Sequence, residues 1–369
     1  MYKIYVGEQV LHHPNRFPDN YIVANPTMTT ELNAHGSLTF KMPPDNPMYS
    51  SLRRLKSIVT VRGDYGEIIW RGRVLSDTKN KNNVKAVYCE GELGFLCDSA
   101  LRPYVHRGSV SALFSYLISN HNSQVNSERQ YVVGDVTVED ANEYIVRSTS
   151  YPMTTWDALR GWLFERLGGY INLRHVGAVT YIDYLAEMPL RQTQRVAWGK
   201  NIIDISEAIT AENVITCLIP YGAEFEQSDP NFEPEPQSGA WDGNRVTIKS
   251  VNGGVDYITS ADGIAMFGEV WGSHTWDDVT VASNLLTKAR AYLDDQINAA
   301  CTINVSAVDL HEVDLAIPAL RVGDRVPVRS TIHGIDTTLT CRKLVIPLME
   351  LNKTRITLGA GNPAITDQR

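Results

Sequence analysis

Cysteine is scarce in this chain. Five occur in 369 residues (Cys89, Cys97, Cys217, Cys301 and Cys341), an odd number with no CxxC pair. That pattern excludes a disulfide framework and a thiolate zinc module, and it predicts reduced, mostly buried thiols. Long apolar runs are missing as well. None approaches 18 residues, so no segment reads as a membrane span. The opening Met1-Tyr-Lys-Ile-Tyr-Val-Gly lacks the basic and then apolar stretches of a signal peptide, which predicts synthesis in the cytoplasm without an export signal. Positive charge is not in excess either. The formal net charge is −8, which argues against a general nucleic-acid binder with a basic face.

The motifs that carry common chemistries are also absent. There is no GxSxG for a nucleophile elbow, no HExxH for a zinc hydrolase and no GxxxxGK[ST] for a phosphate loop. Adjacent His12 and His13 would point to opposite faces of a strand, so they read as strand-end histidines and not as a chelating pair. Asp309, His311, Glu312 and Asp314 form an acidic cluster near a strand end, and the plainer reading is a solvated loop. Cys89 or Cys97 with His106 could in principle form a hydrolase pair, but Cys97 lies in Leu93-Gly-Phe-Leu-Cys-Asp and reads as a buried apolar neighbour. The pairs Asp277-Asp278 and Asp294-Asp295 read as charges at a helix start and on a helix face. Trp156, Trp162, Trp241, Trp271 and Trp276 could stack sugars, although packing in cores or interfaces is the commoner use. No catalytic, metal or cofactor residue is therefore expected.

What is present is an ordinary globular composition. Hydrophobic residues make up 43%, charged residues 21%, and there are 17 Tyr and 7 Trp, enough to build cores over the two to four domains that the length predicts. The first 95 or so residues read as β, with strands at Tyr2–Val6, Leu38–Phe40 and Val84–Glu90 and a hairpin of Ile58–Arg62 and Glu67–Val74 around a Gly/Asp loop. Over about 96–200 the periodicity turns helical. Ser109 caps a helix carrying Val110, Leu113, Phe114, Leu117 and Ile118, and a second helix starts near Thr155 and ends at Gly168-Gly169. A hairpin of Tyr170–Arg174 and Val179–Leu185 follows.

From about 201 the β character returns. Asn213–Pro220 reads as a strand, Glu224–Gly239 as an exposed Pro- and acid-rich loop, and Arg245–Val251 with Val255–Ile258 as a hairpin turning at Asn252-Gly253-Gly254. A helix over about 280–299 presents Val281, Leu285, Ala289, Tyr292, Leu293 and Ile297 inward. Strands follow at Thr302–Val308, Arg325–Arg329, Thr337–Ile346 and Thr354–Leu358. The pattern Ile58-Val-Thr-Val, loop, Ile68-Ile-Trp-Arg-Gly-Arg-Val is echoed by Val322-Gly-Asp-Arg-Val-Pro-Val, Ile332-His-Gly-Ile and Leu339–Ile346. The fold class expected is multidomain α+β: two similar small β-barrels with an α/β domain between them and a smaller α/β insertion. The division is 1–95, a first barrel; 96–200, mixed α/β; and 201–369, a second barrel with an insertion at about 224–300.

Several motifs, in order along the chain, carry a resemblance. They begin with Glu31-Leu-Asn-Ala-His-Gly-Ser-Leu-Thr-Phe-Lys-Met-Pro-Pro-Asp-Asn-Pro-Met-Tyr, Ile68-Ile-Trp-Arg-Gly-Arg-Val and Tyr88-Cys-Glu-Gly-Glu-Leu-Gly-Phe-Leu-Cys-Asp-Ser. They continue through Trp198-Gly-Lys-Asn-Ile-Ile-Asp, Leu218-Ile-Pro-Tyr-Gly-Ala and Val322-Gly-Asp-Arg-Val. Together they resemble the prophage tail endopeptidase, or tail-associated lysin, family, whose N-terminal part is similar to the baseplate hub proteins of contractile-tailed phages. The resemblance implies a structural virion protein: a homotrimeric tail-tip hub. It would join the sixfold tail tube or distal tail ring to the threefold tip, and DNA would pass through it at ejection without specific binding. The implied partners are the distal tail protein, the tape-measure protein, the tail tube, and tip fibre or receptor-binding proteins. The implied place is the virion tail tip, assembled in the bacterial cytoplasm. An acidic lining would keep DNA from sticking. Enzymatic members carry a cell-wall hydrolase after the hub, and the end of this chain at Arg369 leaves no expected place for one. The alternatives are a peptidoglycan-cleaving tail lysin and a receptor- or carbohydrate-binding tip module.

Overall fold

A computed structural model describes residues 2–14, 20–140, 143–209, 214–224, 245–277, 279–312, 314 and 316–359. The chain is mostly β, with few helices among the described residues. Its first stretch supplies β1 (Lys3–Val6), β2 (Gln9–His12), β3 (Ala24–Glu31), β4 (Ser37–Met42), β5 (Ile58–Arg62), β6 (Ile68–Lys79) and β7 (Lys85–Gly91). These strands alternate: Leu38, Phe40 and Met42 of β4 are buried while Ser37, Thr39 and Lys41 point the other way. The buried set, with Ile4, Leu11, Met28, Val59, Val61 and Trp70, makes one core. The expected hairpin around Gly63-Asp64-Tyr65-Gly66 is present as β5–β6.

The middle stretch holds β8 (Ala100–Leu101), β9 (Tyr104–Gly108), α1 (Val110–Asn122), β10 (Val132–Val136), β11 (Ile145–Thr149) and β12 (Met153–Thr154). It closes with α2 (Thr155–Leu159), α3 (Glu165–Leu167), β13 (Tyr170–Val176) and β14 (Val179–Leu185). Ser109 caps α1 as expected, accepting from the Ala112 N–H at 3.2 Å. The second helix is not uniform, because a π-helical turn at Arg160–Phe164 separates α2 from α3. Gly168 and Gly169, at φ of +67° and +84°, end it where a side chain would be strained. The expected inward residues of α1, together with Leu159, Leu163, Ile182 and Tyr184, build a second core.

The last stretch holds β15 (Val196–Ala197), β16 (Ile202–Ile209), β17 (Cys217–Tyr221), β18 (Ile258–Thr259), α4 (Ala261–Phe267), β19 (Trp271–Thr275), α5 (Ala282–Ala300), β20 (Cys301–Ala307), β21 (Arg325–Ser330), β22 (Ile335–Pro347) and β23 (Arg355–Gly359). Val305, Ala307, Val326, Val328, Leu344, Ile356 and Leu358 form its main core. Leu285, Ala289, Leu293 and Ile297 of α5 are buried as expected, but Val281 precedes the helix and is exposed. Most of the loop expected at Glu224–Gly239 lies outside the described residues.

The hairpin expected at Arg245–Ile258 does not form. Lys249–Val251 is a 3-10 turn, and β18 pairs with β17. The Asn252 side chain donates to the Val255 and Tyr257 carbonyls and holds the Gly-Gly turn without a partner strand. The strand expected at Asn213–Pro220 is shorter, beginning at Cys217.

Two runs of five strands share one order. β3, β4, β7, β6 and β5 lie side by side in that sequence, and so do β16, β20, β23, β22 and β21. Every neighbouring pair is antiparallel in both runs. Matching irregularities recur: β6 shifts register against β7 between Val74 and Ser76, and β22 against β23 between Cys341 and Lys343. β3 then pairs with β22, from Glu31↔Lys343 to Thr27↔Pro347, so the two runs merge into one continuous sheet.

Candidate functional site

The continuous sheet is two-sided. One face is backed by the first and last cores, and Ile346 touches both of them. The other face is uncovered. Thr27 and Thr29 of β3 face Thr39 and Ser37 of β4, and Thr39 faces Tyr88 of β7. Tyr88 in turn faces Ser76 of β6, and Thr357 of β23 faces Ser306 of β20. Hydroxyls thus dominate this face. Its charges are Lys41, Arg355, Asp204 and the 2.9 Å pair of Lys343 with Glu31. A shallow depression in the first half is lined by Asn25, Thr27, Thr39, Lys41, Thr78 and Tyr88. Such a surface offers many weak, neutral contacts and no concentrated charge.

A buried ionic junction fixes the first stretch to the middle one. Arg71 and Arg73 lie two apart on β6, and Glu90 of β7 lies two before Glu92, which opens the 3-10 segment after that strand. Arg71 Nη1 meets Glu92 at 2.9 Å, and His175 of β13 meets the same carboxylate at 2.8 Å. Arg73 pairs with Glu90 at 2.6 Å and also with Asp98, which Arg129 reaches at 2.9 Å. The strands come this close only because Gly72 and Gly91 lack a Cβ, which would strike the Glu90 and His35 carbonyls. Burial raises the Glu92 carboxyl to about 7, against the lowering pull of Arg71. Burial, and then Arg71, lowers His175. Sequence reasoning missed this junction. Its signal was the two charged pairs inside Trp70-Arg-Gly-Arg and Glu90-Gly-Glu, flanked by apolar residues.

The residues weighed from the sequence are scattered. His12 is buried, its Nδ1 accepts from the Val23 N–H at 3.2 Å, and burial, then the neighbouring His13, lowers it to about 4. Asp309 is not solvated as expected. It is buried and accepts from the His311 and Leu320 amides, at 3.0 and 3.1 Å, and from Gln194, organising the turn from within. Asp314 accepts from the Ala316 amide at 3.0 Å, and His311 is bonded to the Ile317 carbonyl. The side chains of Glu312, Asp295 and Cys301 lie outside the described residues, as do Asp278 and Trp241.

Cys97 is exposed rather than buried, and desolvation followed by Glu90, Asp157 and Asp98 pushes its thiol to about 11, away from reactivity. Cys89, Cys217 and Cys341 are buried. The His106 ring is bonded to the Ser109 carbonyl. Asp277 pairs with Arg245 at 2.7 Å, and Asp294 is exposed on α5. Trp156 packs edge-on against His35 and Phe164, Trp162 is buried, and Trp276 packs with His274 and Tyr292. Trp271 is exposed beside Tyr257. Among the described residues no three His, Cys, Asp or Glu side chains converge as a metal site, and no helix is long and apolar enough to cross a membrane.

This architecture is shared with prophage tail proteins. The 43 kDa tail protein of prophage MuSo2 from Shewanella oneidensis aligns over 98% of each chain at 10% identity, with a TM-score of 0.62. A tail protein from Neisseria meningitidis aligns over 99% of this chain and 97% of its own at 15% identity, TM-score 0.64. A prophage tail protein from Listeria monocytogenes aligns over 92% and 89% at 13% identity, TM-score 0.60. At such identities the likeness is one of fold. Residues 190–369 match the prophage endopeptidase tail family, so the family resemblance read from the sequence holds over that stretch. No curated protein sequence matches the chain.

Proposed function

We propose that the chain is a structural subunit of a phage-type tail tip: a homotrimeric hub between the sixfold tail tube or distal tail ring and the threefold tip. The observation that carries this reading is the repeated five-strand order, merged through β3 and β22 into one sheet with a backed face and a free face. A chain with two like β modules gives a trimer six quasi-equivalent units, enough to meet a sixfold ring on one side while keeping threefold symmetry on the other. The division read from the sequence fits this use, with barrel-like modules at 1–95 and in 201–369, an α/β domain between them, and an insertion at about 224–300, the stretch that carries β18, α4, β19 and α5. The separate cores of the first, middle and last stretches support it.

The free face would line the passage through which DNA leaves. The lining is then hydroxyl-rich with few, mixed charges, and not acidic as the composition suggested. Low charge of either sign serves the same end, because neither strong attraction nor strong repulsion holds the polymer. The distal tail protein, the tape measure and tip fibre proteins would be its neighbours. A structural role, and no catalysis, is proposed despite the family's endopeptidase name. The fold of tail proteins supports this, and so does the engagement of the weighed polar residues in turns and packing.

The test is placement and stoichiometry. A tagged chain in isolated tail particles should label the tip by electron microscopy, at three copies per particle by quantitative mass spectrometry. Label along the tube, or clearing of purified peptidoglycan by the chain alone, would overturn the proposal.

A further inference from the structure

The matching registers of the two runs define a seam that the single chain leaves open. Within the chain, the outer strand of the first run, β3, pairs with β22 of the second. The same partners exist in the other order. β16 corresponds to β3, and β6 corresponds to β22. Among the described residues β16 pairs only with β20, and the distal half of β6 pairs on one side only, with β7. Both edges end in exposed residues, Ile203 and Asp204 on one and Thr78, Lys79 and Asn80 on the other. An unpaired edge of matched length is a template for another strand.

We propose that β16 of one copy pairs antiparallel with the distal half of β6 of a second copy of this chain, repeating between molecules the β3–β22 seam inside each. This rests on the hub reading and gives its subunit contact. The register follows from the shared irregularities. The shift after Val74 matches that after Cys341, so Thr78 takes the place of Val345 and Lys79 that of Ile346. The shift before Thr27 matches that before Asp204, so Ser206 takes the place of Thr29 and Ile205 that of Met28. The Val345↔Thr29 pair becomes Thr78↔Ser206, Ile346↔Met28 becomes Lys79↔Ile205, and Pro347↔Thr27 becomes Asn80↔Asp204.

Thr78 and Ser206 then fall on the uncovered face, continuing its hydroxyl surface across the seam. On that same face Asp204 comes opposite the uncharged Asn80, so no like-charge pair arises there. Asp77, which comes opposite Glu207, is already paired with Arg54 at 2.8 Å. The two seams differ in two respects. Ile346 and Leu348 seal the internal one with apolar surface, whereas the matching positions carry Lys79 and Lys81, and the internal Lys343–Glu31 pair has Ser76 and Ala208 as its counterparts. Lysines protect a free edge from indiscriminate pairing, so the proposed contact is the weaker and more readily reversed of the two.

Directly opposed residues in an antiparallel pair have Cα atoms about 4.5–5.5 Å apart, within disulfide reach. The full chain carrying T78C with S206C, oxidised at high protein concentration, should give a dimer and trimer ladder on a non-reducing gel that collapses with reductant. Wild type, each single variant, and T78C with D204C, two residues out of register, should give at least tenfold less. Sedimentation of the unoxidised protein runs alongside. A trimer without the specific cross-link overturns the seam and leaves the hub reading standing. A monomer without cross-link overturns the seam as the contact that assembles the chain, and the tail-particle labelling above then decides the hub reading separately.

Discussion

The two five-stranded runs share order, orientation and register shifts, yet they are held in opposite ways. The first run faces the middle stretch through charge: Arg71 and His175 of β13 share Glu92, and Arg73 pairs with Glu90 and Asp98 where the second run has Thr340 opposite Gly359. The second run reaches the first mainly through apolar packing, with the exposed Lys343–Glu31 pair at its margin: Ile346 and Leu348 enter cores beside which the first run offers Lys79 and Lys81. The first run turns from β3 to β4 through five residues, while the second spends the same turn on an insertion running from β16 to β20. The lesson is that the strand frame is the fixed part. What differs is the sealing of each edge and how much chain hangs from one turn.

Four tests, two of them paired substitutions, would sharpen or break that contrast. The largest effect is expected at Arg73. R73A strands the buried Glu90 carboxylate and leaves Asp98 to Arg129 alone, and should cost about 3–5 kcal/mol in urea unfolding, whereas T340A at the matching position should cost under about 1 kcal/mol. L348A, which opens a cavity at the internal seam, should cost about 2–5 kcal/mol, and K81A at its counterpart should stay within about 0.5 kcal/mol. Equal losses at the two positions would mean that the two edges are not differently sealed.

The third test concerns pH. The Glu92 carboxyl is raised from 4.5 to about 7, so it holds its proton more tightly in the folded chain. Its stabilisation is complete below about 4.5 and is lost as pH rises through 7. His175, lowered from 6.5, acts oppositely: its contribution is present above 6.5 and is lost as pH falls through its folded value. E92Q should therefore flatten the fall in stability between about pH 4.5 and 7, by on the order of 1–3 kcal/mol. Urea midpoints at pH 5 and pH 8 that keep the wild-type spacing would count against this. The smallest effect is S109A, which removes the α1 cap and should cost about 1 kcal/mol by the same measurement.

Much of the frame was legible because strand alternation is local. Leu38-Thr-Phe-Lys-Met declares its two faces, and Ser109 followed by apolar residues at helical spacing declares α1. The Asn252-Gly-Gly turn misled because turn residues state only that the chain reverses. Whether two strands pair across the turn depends on neighbours distant in sequence, here β17. Asp309 was likewise misread, since its partners Gln194 and Leu320 come from separate segments. The β3–β22 seam joins residues some 315 positions apart and has no local mark at all. The ionic junction was half visible: the paired charges stood out, but the third member, His175, comes from another stretch of the chain.

The extra residues Leu75 and Arg342 have a consequence for how such chains can change over time. Each lets one long strand serve a hairpin partner with its first half and a different neighbour with its second. Because side chains alternate, losing one codon at either place would exchange the roles of everything downstream on that strand, sending Thr78 toward oil and Asp77 toward water. Variation in length is therefore expected to collect between β16 and β20, where added chain disturbs no alternation, and to be purged at these two positions. Chains that diverge until little identity remains can still keep this strand frame.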